Sequence, residues 1–206
     1  MTPIAQQIKN SLSLKDFDPK PAMMRMAPAR DAVEAPPAGA RLGATMGVLY
    51  EMERQVWVVL AKRPMTLRNH PGQVAFPGGR CEPNETFLET ALRETEEEVG
   101  LAPHFIEVLG SLSPVYIPPS NFYVSPFVGW HDGLPNLTPS PDEVSRIIDV
   151  PLQALTTPDC IGEINQIGDW RFPAYLVEGE KVWGATAVIL SELIARLTAV
   201  DFFTRM

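Results

Sequence analysis

The segment of residues 79–101 constrains the fold most, because its apolar residues recur at helical spacing between a capping residue and a glycine. Asn84 can cap a helix whose first turn carries Glu85, where a negative charge meets the positive end of the helix dipole. Gly100 can end this helix, with Leu101 placed for the hydrophobic contact of a glycine cap. The predicted apolar stripe comprises Phe87, Leu88, Ala91, Leu92, Thr95 and Val99.

Three glutamates stand at i, i+3 and i+4 on the predicted helix, at Glu94, Glu97 and Glu98. This spacing brings their carboxylates to one face, opposite the apolar stripe, where like charges repel unless a cation lies between them. Carboxylate oxygens at this density suit Mg²⁺ or Mn²⁺. We therefore predict a metal site on these three residues, with Glu85 as a weaker candidate ligand. The alternative is a solvated acidic face, since charge runs usually lie at the surface.

The glycines, the acids and one arginine of this segment follow the order of a known motif. The matching positions are Gly79, Glu85, Arg93, Glu94, Glu97, Glu98 and Gly100. This order resembles the Nudix box. Thr95 departs from it, because the box prefers an aliphatic residue there. We expect the Thr95 methyl group to pack inward and its hydroxyl to bond the carbonyl of Ala91.

A second motif lies just before the first one. It comprises Arg63, Arg68, Gly72 and the run Phe76-Pro77-Gly78-Gly79, and it resembles the motif of the coenzyme A pyrophosphatase branch of the Nudix family. Pro64 stands where that branch usually has a small hydroxyl residue or Ala, and Ala61 where it often has Thr. Together with later segments, the resemblance covers most of the chain from about Gly43 to the end.

The resemblance implies a fold and an activity. The fold is an α/β Nudix-type α/β/α sandwich with a mixed β-sheet between helices. The activity is metal-dependent hydrolysis of the diphosphate bond of coenzyme A or its thioesters, which gives adenosine 3′,5′-bisphosphate and (acyl-)phosphopantetheine. A coenzyme A-like nucleotide is the expected small-molecule partner, and Mg²⁺ or Mn²⁺ the expected cofactor.

Each predicted site residue has a role that suits its chemistry. The predicted catalytic residues are Glu97, Glu98 and Arg93, and the predicted substrate-binding residues are Arg63, Arg68, Gly78 and Gly79. Glu97 or Glu98 is expected to accept a proton, with Glu143 as an outside choice. Arg93 is expected to hold a carboxylate in place through a bidentate ion pair. The two earlier arginines can clamp phosphates, and the two glycines permit a sharp turn and close approach of a ligand.

Three alternative functions stay open on the sequence. The first is a Nudix hydrolase of another nucleoside diphosphate derivative, such as ADP-ribose or a dinucleoside polyphosphate. The second is a non-catalytic Nudix module that binds nucleotides, which has no need of three crowded acids. The third is an acidic Ca²⁺-binding or interaction protein, which would not need Arg63, Arg68 and the glycine pair.

The composition narrows the class of partner. A net charge of −8 and a pI near 4.9 argue against a broad surface for nucleic acids or anionic membranes. Cys81 and Cys160 are too few for a disulfide framework. With no signal peptide and no apolar run of about 18 residues, a cytoplasmic location is expected.

The chain is predicted to divide near residue 43. Residues 1–43 are predicted to form a short helix that starts at Thr2-Pro3 and then an irregular, proline-containing arm. Three methionines of this arm fill a local groove or cover a partner subunit, which leaves a homodimer open. Residues 44–206 are predicted to form the Nudix hydrolase domain. Its predicted strands lie at residues 44–50, 56–62, 74–76, 105–111, 122–130 and 144–150, followed by a hairpin turn at 178–180 and an amphipathic helix at 186–197.

Overall fold

The computed structural model describes residues 1–27, 35–167 and 170–204. Its largest element is a sheet of eight strands: β1 (Arg41–Met52), β2 (Gln55–Lys62), β3 (Val74–Ala75), β4 (Gly78–Arg80), β5 (Glu107–Ser111), β6 (Val115–Ile117), β7 (Phe122–Trp130) and β8 (Arg146–Pro151). The path β3-β2-β1-β7-β5 runs through the sheet, with β4 paired to β1, β6 to β7 and β8 to β2. The β1–β7 pair is parallel and the other pairs are antiparallel, so the sheet is mixed, as predicted.

A smaller antiparallel sheet follows in the sequence. Its three strands are β9 (Ile161–Ile167), β10 (Trp170–Val177) and β11 (Glu180–Trp183). Glu178 and Gly179 form the turn between β10 and β11, with φ angles of 48° and 75°. This is the hairpin turn predicted at residues 178–180. Strand β9 had no counterpart among the predicted elements.

Helices cover both faces of the large sheet. They are α1 (Pro3–Leu12), α2 (Lys20–Met26), α3 (Phe87–Val99) and α4 (Gly184–Thr198). Met46 and Val48 of β1 pack in the core under α3, whereas Leu49 of the same strand packs in the core under α4. Side chains alternate between the two faces of a strand, so β1 contributes to both cores. The predicted α/β/α sandwich is confirmed.

The N-terminal segment adds two helices on the α4 side. Helix α1 starts at Thr2-Pro3 as predicted, and the Thr2 hydroxyl caps it by accepting a hydrogen bond of 3.1 Å from the N–H of Ala5. The segment after α1 was predicted to be irregular, but residues 20–26 form α2. The reason is that Pro19 and Pro21 lie at the start of α2, where a helix does not need the missing N–H. Residues 28–34 of the predicted arm lie outside the described residues.

Helix α4 is buried on nearly all sides, whereas the sequence predicted a single apolar stripe. Even Ser191, Glu192 and Arg196 are buried. The N-terminal helices cover the outer side of α4: the Ser191 hydroxyl donates a hydrogen bond of 2.6 Å to the Ala22 carbonyl, and Arg196 donates one of 3.3 Å to the Leu12 carbonyl. The polar side chains of α4 are therefore satisfied inside the protein.

The remaining elements follow the predictions with shifts at their ends. Strand β7 occupies the predicted residues 122–130, β8 begins at Arg146 instead of residue 144, and Phe105 lies in a 3₁₀ turn before β5. The Thr95 hydroxyl bonds the Ala91 carbonyl at 2.7 Å, as predicted. Among the described helices, none is both long enough and apolar enough to span a lipid bilayer.

Candidate active site

Both ends of α3 are capped. The Thr86 hydroxyl accepts a hydrogen bond of 3.2 Å from the N–H of Glu89, whose carboxylate accepts one of 2.8 Å from the N–H of Thr86. The prediction that Asn84 caps this helix is wrong: Asn84 lies in the preceding turn with a φ of 70°, and Glu85 precedes the helix. The reciprocal Thr86–Glu89 pair satisfies two backbone N–H donors at once, which explains why the helix begins later than predicted. Gly100 ends the helix with a φ of 73°, as predicted.

The C-terminal end of α3 is tied to the loop that carries Glu143. The N–H of Thr138 donates a hydrogen bond of 2.8 Å to the Val99 carbonyl, and the N–H of Ser140 donates one of 2.9 Å to the Glu98 carbonyl. A helix end leaves such carbonyls without a partner inside the helix. The two bonds therefore hold the loop beside the acidic side of α3.

Carboxylates from α3 and from this loop converge. Glu94, Glu98 and Glu143 each offer an oxygen atom, and these atoms lie within 4.8 Å of one another. We call these three residues the carboxylate group. Glu97 lies outside the carboxylate group, since its side chain is 56% exposed and forms an ion pair of 2.8 Å with Arg93. The structure thus brings together two of the three predicted metal ligands and adds Glu143, which was predicted only as an outside choice of proton acceptor.

Glu98 is the most buried member of the carboxylate group, with 4% of its surface exposed. The prediction that it faces away from the core is wrong, because it lies at the edge of the apolar stripe. Its carboxylate accepts a hydrogen bond of 3.1 Å from the N–H of Gly78 and lies 3.9 Å from Nη1 of Arg63. Burial raises the pKa of Glu98 to about 8, and the charges of Glu94 and Glu143 act in the same direction.

Glu94 lies against a position that has no side chain. A Cβ atom on Gly79 would lie 2.5 Å from the Glu94 carboxylate, so only glycine leaves room for it. Burial raises the pKa of Glu94, and the ion pair with Arg93 opposes this shift. Carboxylates with too few neighbouring cations to balance their charge are costly to bury. Their oxygen atoms are the ligands that a hard divalent cation prefers. The carboxylate group therefore fits Mg²⁺ or Mn²⁺.

Arg93 holds the acidic side chains around the site in place. Its guanidinium donates hydrogen bonds to Glu85 at 2.8 Å, Glu94 at 2.9 Å and Glu97 at 2.8 Å, and to the Arg80 carbonyl at 3.2 Å. These ion pairs match the predicted pairing of Arg93 with a carboxylate of the motif. The bond from Arg93 lowers the pKa of Glu85 to about 2. Glu85 thus belongs to this network and lies outside the carboxylate group.

The predicted substrate-binding residues have different surroundings. Arg63 faces the carboxylate group, and its Nε is buried with no hydrogen-bond partner among the described residues. Arg68 is exposed and forms no ion pair within the described part of the chain. Gly78 has a φ of 155°, and a Cβ atom there would lie 2.4 Å from the Ala44 carbonyl. Glycine is therefore required where the chain turns toward the carboxylate group.

A single family match covers the whole site. The family profile described as NUDIX domain matches residues 40–163, a range that contains the carboxylate group, Arg63, Arg68 and Arg93. The chain belongs to the Nudix family. Members of this family generally use divalent metals, which agrees with the chemistry of the carboxylate group.

Relatives of this Nudix protein include three curated hydrolases. The uncharacterized Nudix hydrolase NudL of Klebsiella pneumoniae (strain 342) is 34% identical over 200 residues, which cover 92% of this chain and 97% of the relative. NudL of Pectobacterium atrosepticum is 38% identical over 149 residues, or 68% and 75% of the two chains. Nudix hydrolase 3 of Caenorhabditis elegans is 34% identical over 159 residues, or 68% of this chain and 66% of the relative.

Solved structures show the same fold. The MutT/nudix family protein from Enterococcus faecalis superimposes with a TM-score of 0.54 and 17% identity, over 94% of this chain and 74% of that one. The Nudix hydrolase RenU from M. smegmatis gives a TM-score of 0.53 with 16% identity, over 79% and 86%. The family match and the curated relatives identify the chain as a Nudix pyrophosphohydrolase that acts on a nucleoside diphosphate derivative.

Proposed function

We propose that this Nudix hydrolase cleaves the diphosphate of coenzyme A or its thioesters, giving adenosine 3′,5′-bisphosphate and (acyl-)phosphopantetheine. The substrate class is supported by the motif that runs from Arg63 to the glycine pair. One observation carries the proposal: this motif meets the carboxylate group, because Arg63 and Gly78 both lie against Glu98. Phosphate-binding and metal-binding chemistry are thus adjacent.

We assign the divalent ion to Glu94 and Glu98 and keep Glu97 as a third predicted ligand. Glu143 lies next to Glu94 and Glu98. A bound ion would neutralise phosphate charge and lower the pKa of a bound water molecule. Glu97 stays a predicted ligand, because Nη1 of Arg93 donates hydrogen bonds to both Glu94 and Glu97 and so keeps the two carboxylates close together. Arg93 thereby positions the ligands without touching the substrate.

A carboxylate must also accept the proton of the attacking water. Glu97, Glu98 and Glu143 are the candidates. Glu143 comes from a separate, exposed loop and lies within 4.8 Å of the other members of the carboxylate group. Glutamine at each position separates the roles: loss of kcat with unchanged metal affinity identifies the proton acceptor, and loss of both identifies a ligand.

Arg63 and Arg68 supply positive charge for the substrate. The chain carries a net charge of −8, so a substrate with several negative oxygens must be held by local cations. Arg63 lies 3.9 Å from Glu98 and is placed for the diphosphate. Arg68 is exposed in the loop before Gly72, and Gly78 and Gly79 leave the backbone open to a ligand.

Several whole-chain predictions accompany this proposal. Residues 44–206 are predicted to form the hydrolase domain and residues 1–43 an N-terminal segment, of which α1 and α2 pack against α4. A homodimer and a cytoplasmic location stay predictions from the sequence. Light scattering of the purified chain measures its oligomeric state.

A substrate panel tests the proposed activity. Coenzyme A, acetyl-coenzyme A, ADP-ribose and diadenosine tetraphosphate are incubated with the protein in Mg²⁺, Mn²⁺ or excess EDTA, and products are identified by mass spectrometry. We expect the highest kcat/KM for coenzyme A or its thioester, and no turnover in EDTA. A higher kcat/KM for ADP-ribose or the dinucleotide would overturn the substrate, and turnover in EDTA would overturn the metal. Binding without any turnover would favour a nucleotide-binding module.

Glu96 provides the matched control on the catalytic helix. It is exposed on α3, outside the carboxylate group, and forms no ion pair with any described residue. Glu96→Gln should keep wild-type kcat, whereas Glu98→Gln should lose about 10²-fold or more. Equal kcat in these two variants would contradict the assigned site.

A further inference from the structure

An arginine and a phenylalanine stack at the starts of two parallel strands. The guanidinium carbon of Arg41 lies 4.4 Å from the ring centroid of Phe122. Arg41 begins β1 and Phe122 begins β7, and the parallel register places the two residues side by side. Arg41 is exposed and forms no ion pair within the part of the chain that the structure describes. A flat cationic group is therefore held on a ring and presented to solvent.

The stacked pair lies on the side of the sheet opposite to α3. Ala44 packs in the core under α3, so its neighbour Gly43 faces the other side, as does Arg41. A Cβ atom on Gly43 would lie 3.2 Å from the Phe122 ring. Glycine at position 43 thus lets the ring lie against β1.

Arg80 adds a second free cation on the same side. Strand β4 pairs with β1 so that Arg80 stands opposite Gly43. Residues that oppose each other in an antiparallel pair project to the same face, and a diagonal neighbour such as Arg41 is within reach of long side chains. The Arg80 side chain is exposed and forms no ion pair with a described residue. Two uncompensated guanidinium groups on an acidic protein point to an anionic ligand.

These groups are one strand away from the carboxylate group. Arg80 follows Gly79, and Gly79 faces Glu94 on the α3 side of β4. Among the described strands β4 pairs only with β1, and on its other edge the Gly78 N–H bonds Glu98 while the Arg80 carbonyl accepts a hydrogen bond from Arg93. The carboxylate group thus lies along the outer edge of β4, and a nucleotide whose diphosphate is bound there can extend past this edge toward the Arg80 side chain.

We propose that Arg41 and Phe122 form a stacking platform for the nucleobase of the substrate, and that Arg80 binds a phosphate on its ribose. Guanidinium planes and aromatic rings both stack on bases. A guanidinium also binds phosphate through charge-assisted hydrogen bonds. Adenosine 3′,5′-bisphosphate offers both features, and the choice of this nucleotide rests on the proposed function.

Equilibrium binding tests the platform independently of turnover. Calorimetry with adenosine 3′,5′-bisphosphate and with adenosine 5′-monophosphate is performed on the wild type and on Arg41→Gln, Phe122→Leu and Arg80→Gln. The first two substitutions should weaken binding of both nucleotides by about 5- to 150-fold, the range for loss of base stacking. Arg80→Gln should weaken binding of the bisphosphate by about 10-fold and leave that of the monophosphate nearly unchanged.

Matched variants control for charge and folding. Arg54→Gln removes an exposed arginine at the β1–β2 turn, and Phe105→Leu removes a ring that is 55% exposed elsewhere; both should bind like the wild type. Phe122→Tyr keeps the ring and should keep affinity, so a loss equal to that of Phe122→Leu would overturn stacking. Wild-type affinity in the Arg41 and Phe122 variants would also overturn it.

The two proposals fail in different ways. If the wild type hydrolyses another adenine nucleotide in preference to coenzyme A, the proposed substrate is wrong. The stacking platform is then tested by the binding of adenosine 5′-monophosphate to the Arg41 and Phe122 variants alone. If Arg80→Gln weakens the binding of both nucleotides equally, Arg80 does not bind the ribose phosphate. If the wild type hydrolyses coenzyme A and the Arg41 and Phe122 variants bind like it, only the platform is wrong.

Discussion

The backbone N–H of Gly78 donates a hydrogen bond of 3.1 Å to the buried carboxylate of Glu98. Gly78 belongs to the motif that precedes α3, and Glu98 belongs to α3 itself. The same carboxylate lies 3.9 Å from Nη1 of Arg63. Because one side chain joins the two motifs, a change in either is expected to alter both metal binding and substrate binding.

Glu98→Gln should lower kcat by about 10²-fold or more, since glutamine neither holds a divalent cation nor accepts a proton at neutral pH. The same loss is predicted for Glu97→Gln. In EDTA at neutral pH, the Glu98 variant should melt at a higher temperature than the wild type, because burial beside Glu94 and Glu143 raises the pKa of Glu98 and makes its ionised form costly in the folded state. Added Mg²⁺ should stabilise the wild type more than the variant. Kinetics and thermal melting check this, and a lower melting temperature in EDTA would contradict the repulsion.

Gly79→Ala should damage the site by steric overlap. The added Cβ atom would lie 2.5 Å from the Glu94 carboxylate, which would have to move or push β4 away. We expect about 1–3 kcal/mol of lost stability and a large loss of kcat. Gly110→Ala is the control, because the three atoms nearest to its Cβ atom would all belong to the Leu12 side chain, at 3.2 Å or more. Urea unfolding and kinetics measure both, and wild-type kcat in the Gly79 variant would refute the close approach.

Arg63→Ala should weaken kcat/KM for coenzyme A and for dephospho-coenzyme A by the same factor, because Arg63 faces the carboxylate group where the shared diphosphate would lie. A charge-assisted contact of about 1.5–3 kcal/mol corresponds to roughly 10- to 150-fold. Arg68→Ala, measured with the same two substrates, reports a role in reading the 3′-phosphate if only coenzyme A is affected. No loss for either substrate in either variant would show that both arginines are ordinary surface residues.

Arg196→Ala should destabilise the protein without changing the chemistry of the site. Arg196 Nε bonds Glu192 at 2.8 Å, and the two side chains are 10% and 1% exposed. Removing the cation leaves a buried carboxylate uncompensated, which costs about 3–5 kcal/mol. The exposed pair of Arg171 and Glu163 is the control, for which Arg171→Ala should cost about 1 kcal/mol or less. Urea unfolding measures both, and similar values for the two variants would contradict the prediction.

Asp149→Asn should stabilise the protein at neutral pH. Burial raises the pKa of Asp149, and the hydrogen bond from Tyr50 opposes this only in part. Below its unfolded-state pKa of about 3.9 the carboxyl is protonated in both states. As the pH rises, the unfolded state ionises first, so the wild type loses stability up to the folded-state pKa. The gain from asparagine should therefore be larger at pH 7 than at about pH 4, and Asp142→Asn at an exposed site should show no such trend.

Local features of the sequence predicted most of α3 correctly but only part of the site. Helical periodicity is a local property, so the presence of the helix, its apolar stripe and its Gly100 end could be predicted. The burial of Glu98 also had a local signal, because it follows the buried Thr95 by three positions. The Thr86 cap had one too, in its pairing with Glu89. The prediction that Glu98 faces outward rested on the charge of the acidic run, and the predicted cap rested on Asn84 alone.

Non-local contacts account for what could not be predicted. Nothing near Glu143 indicates that it joins Glu94 and Glu98, because its place depends on backbone hydrogen bonds between a distant loop and the end of α3. The burial of Arg196 likewise depends on helices at the other end of the chain. Such pairings arise only from the three-dimensional fold.

The loop that carries Glu143 has two backbone amides whose hydrogen exchange reports its motion. Thr138 and Ser140, whose amides bond α3, alternate with Pro139 and Pro141, which have no amide hydrogen and a fixed φ. Deuterium exchange in this stretch therefore comes from two amides that are both released only when the loop leaves the helix. Their exchange rates would time how often Glu143 departs from the site, under any condition in which the enzyme can be assayed.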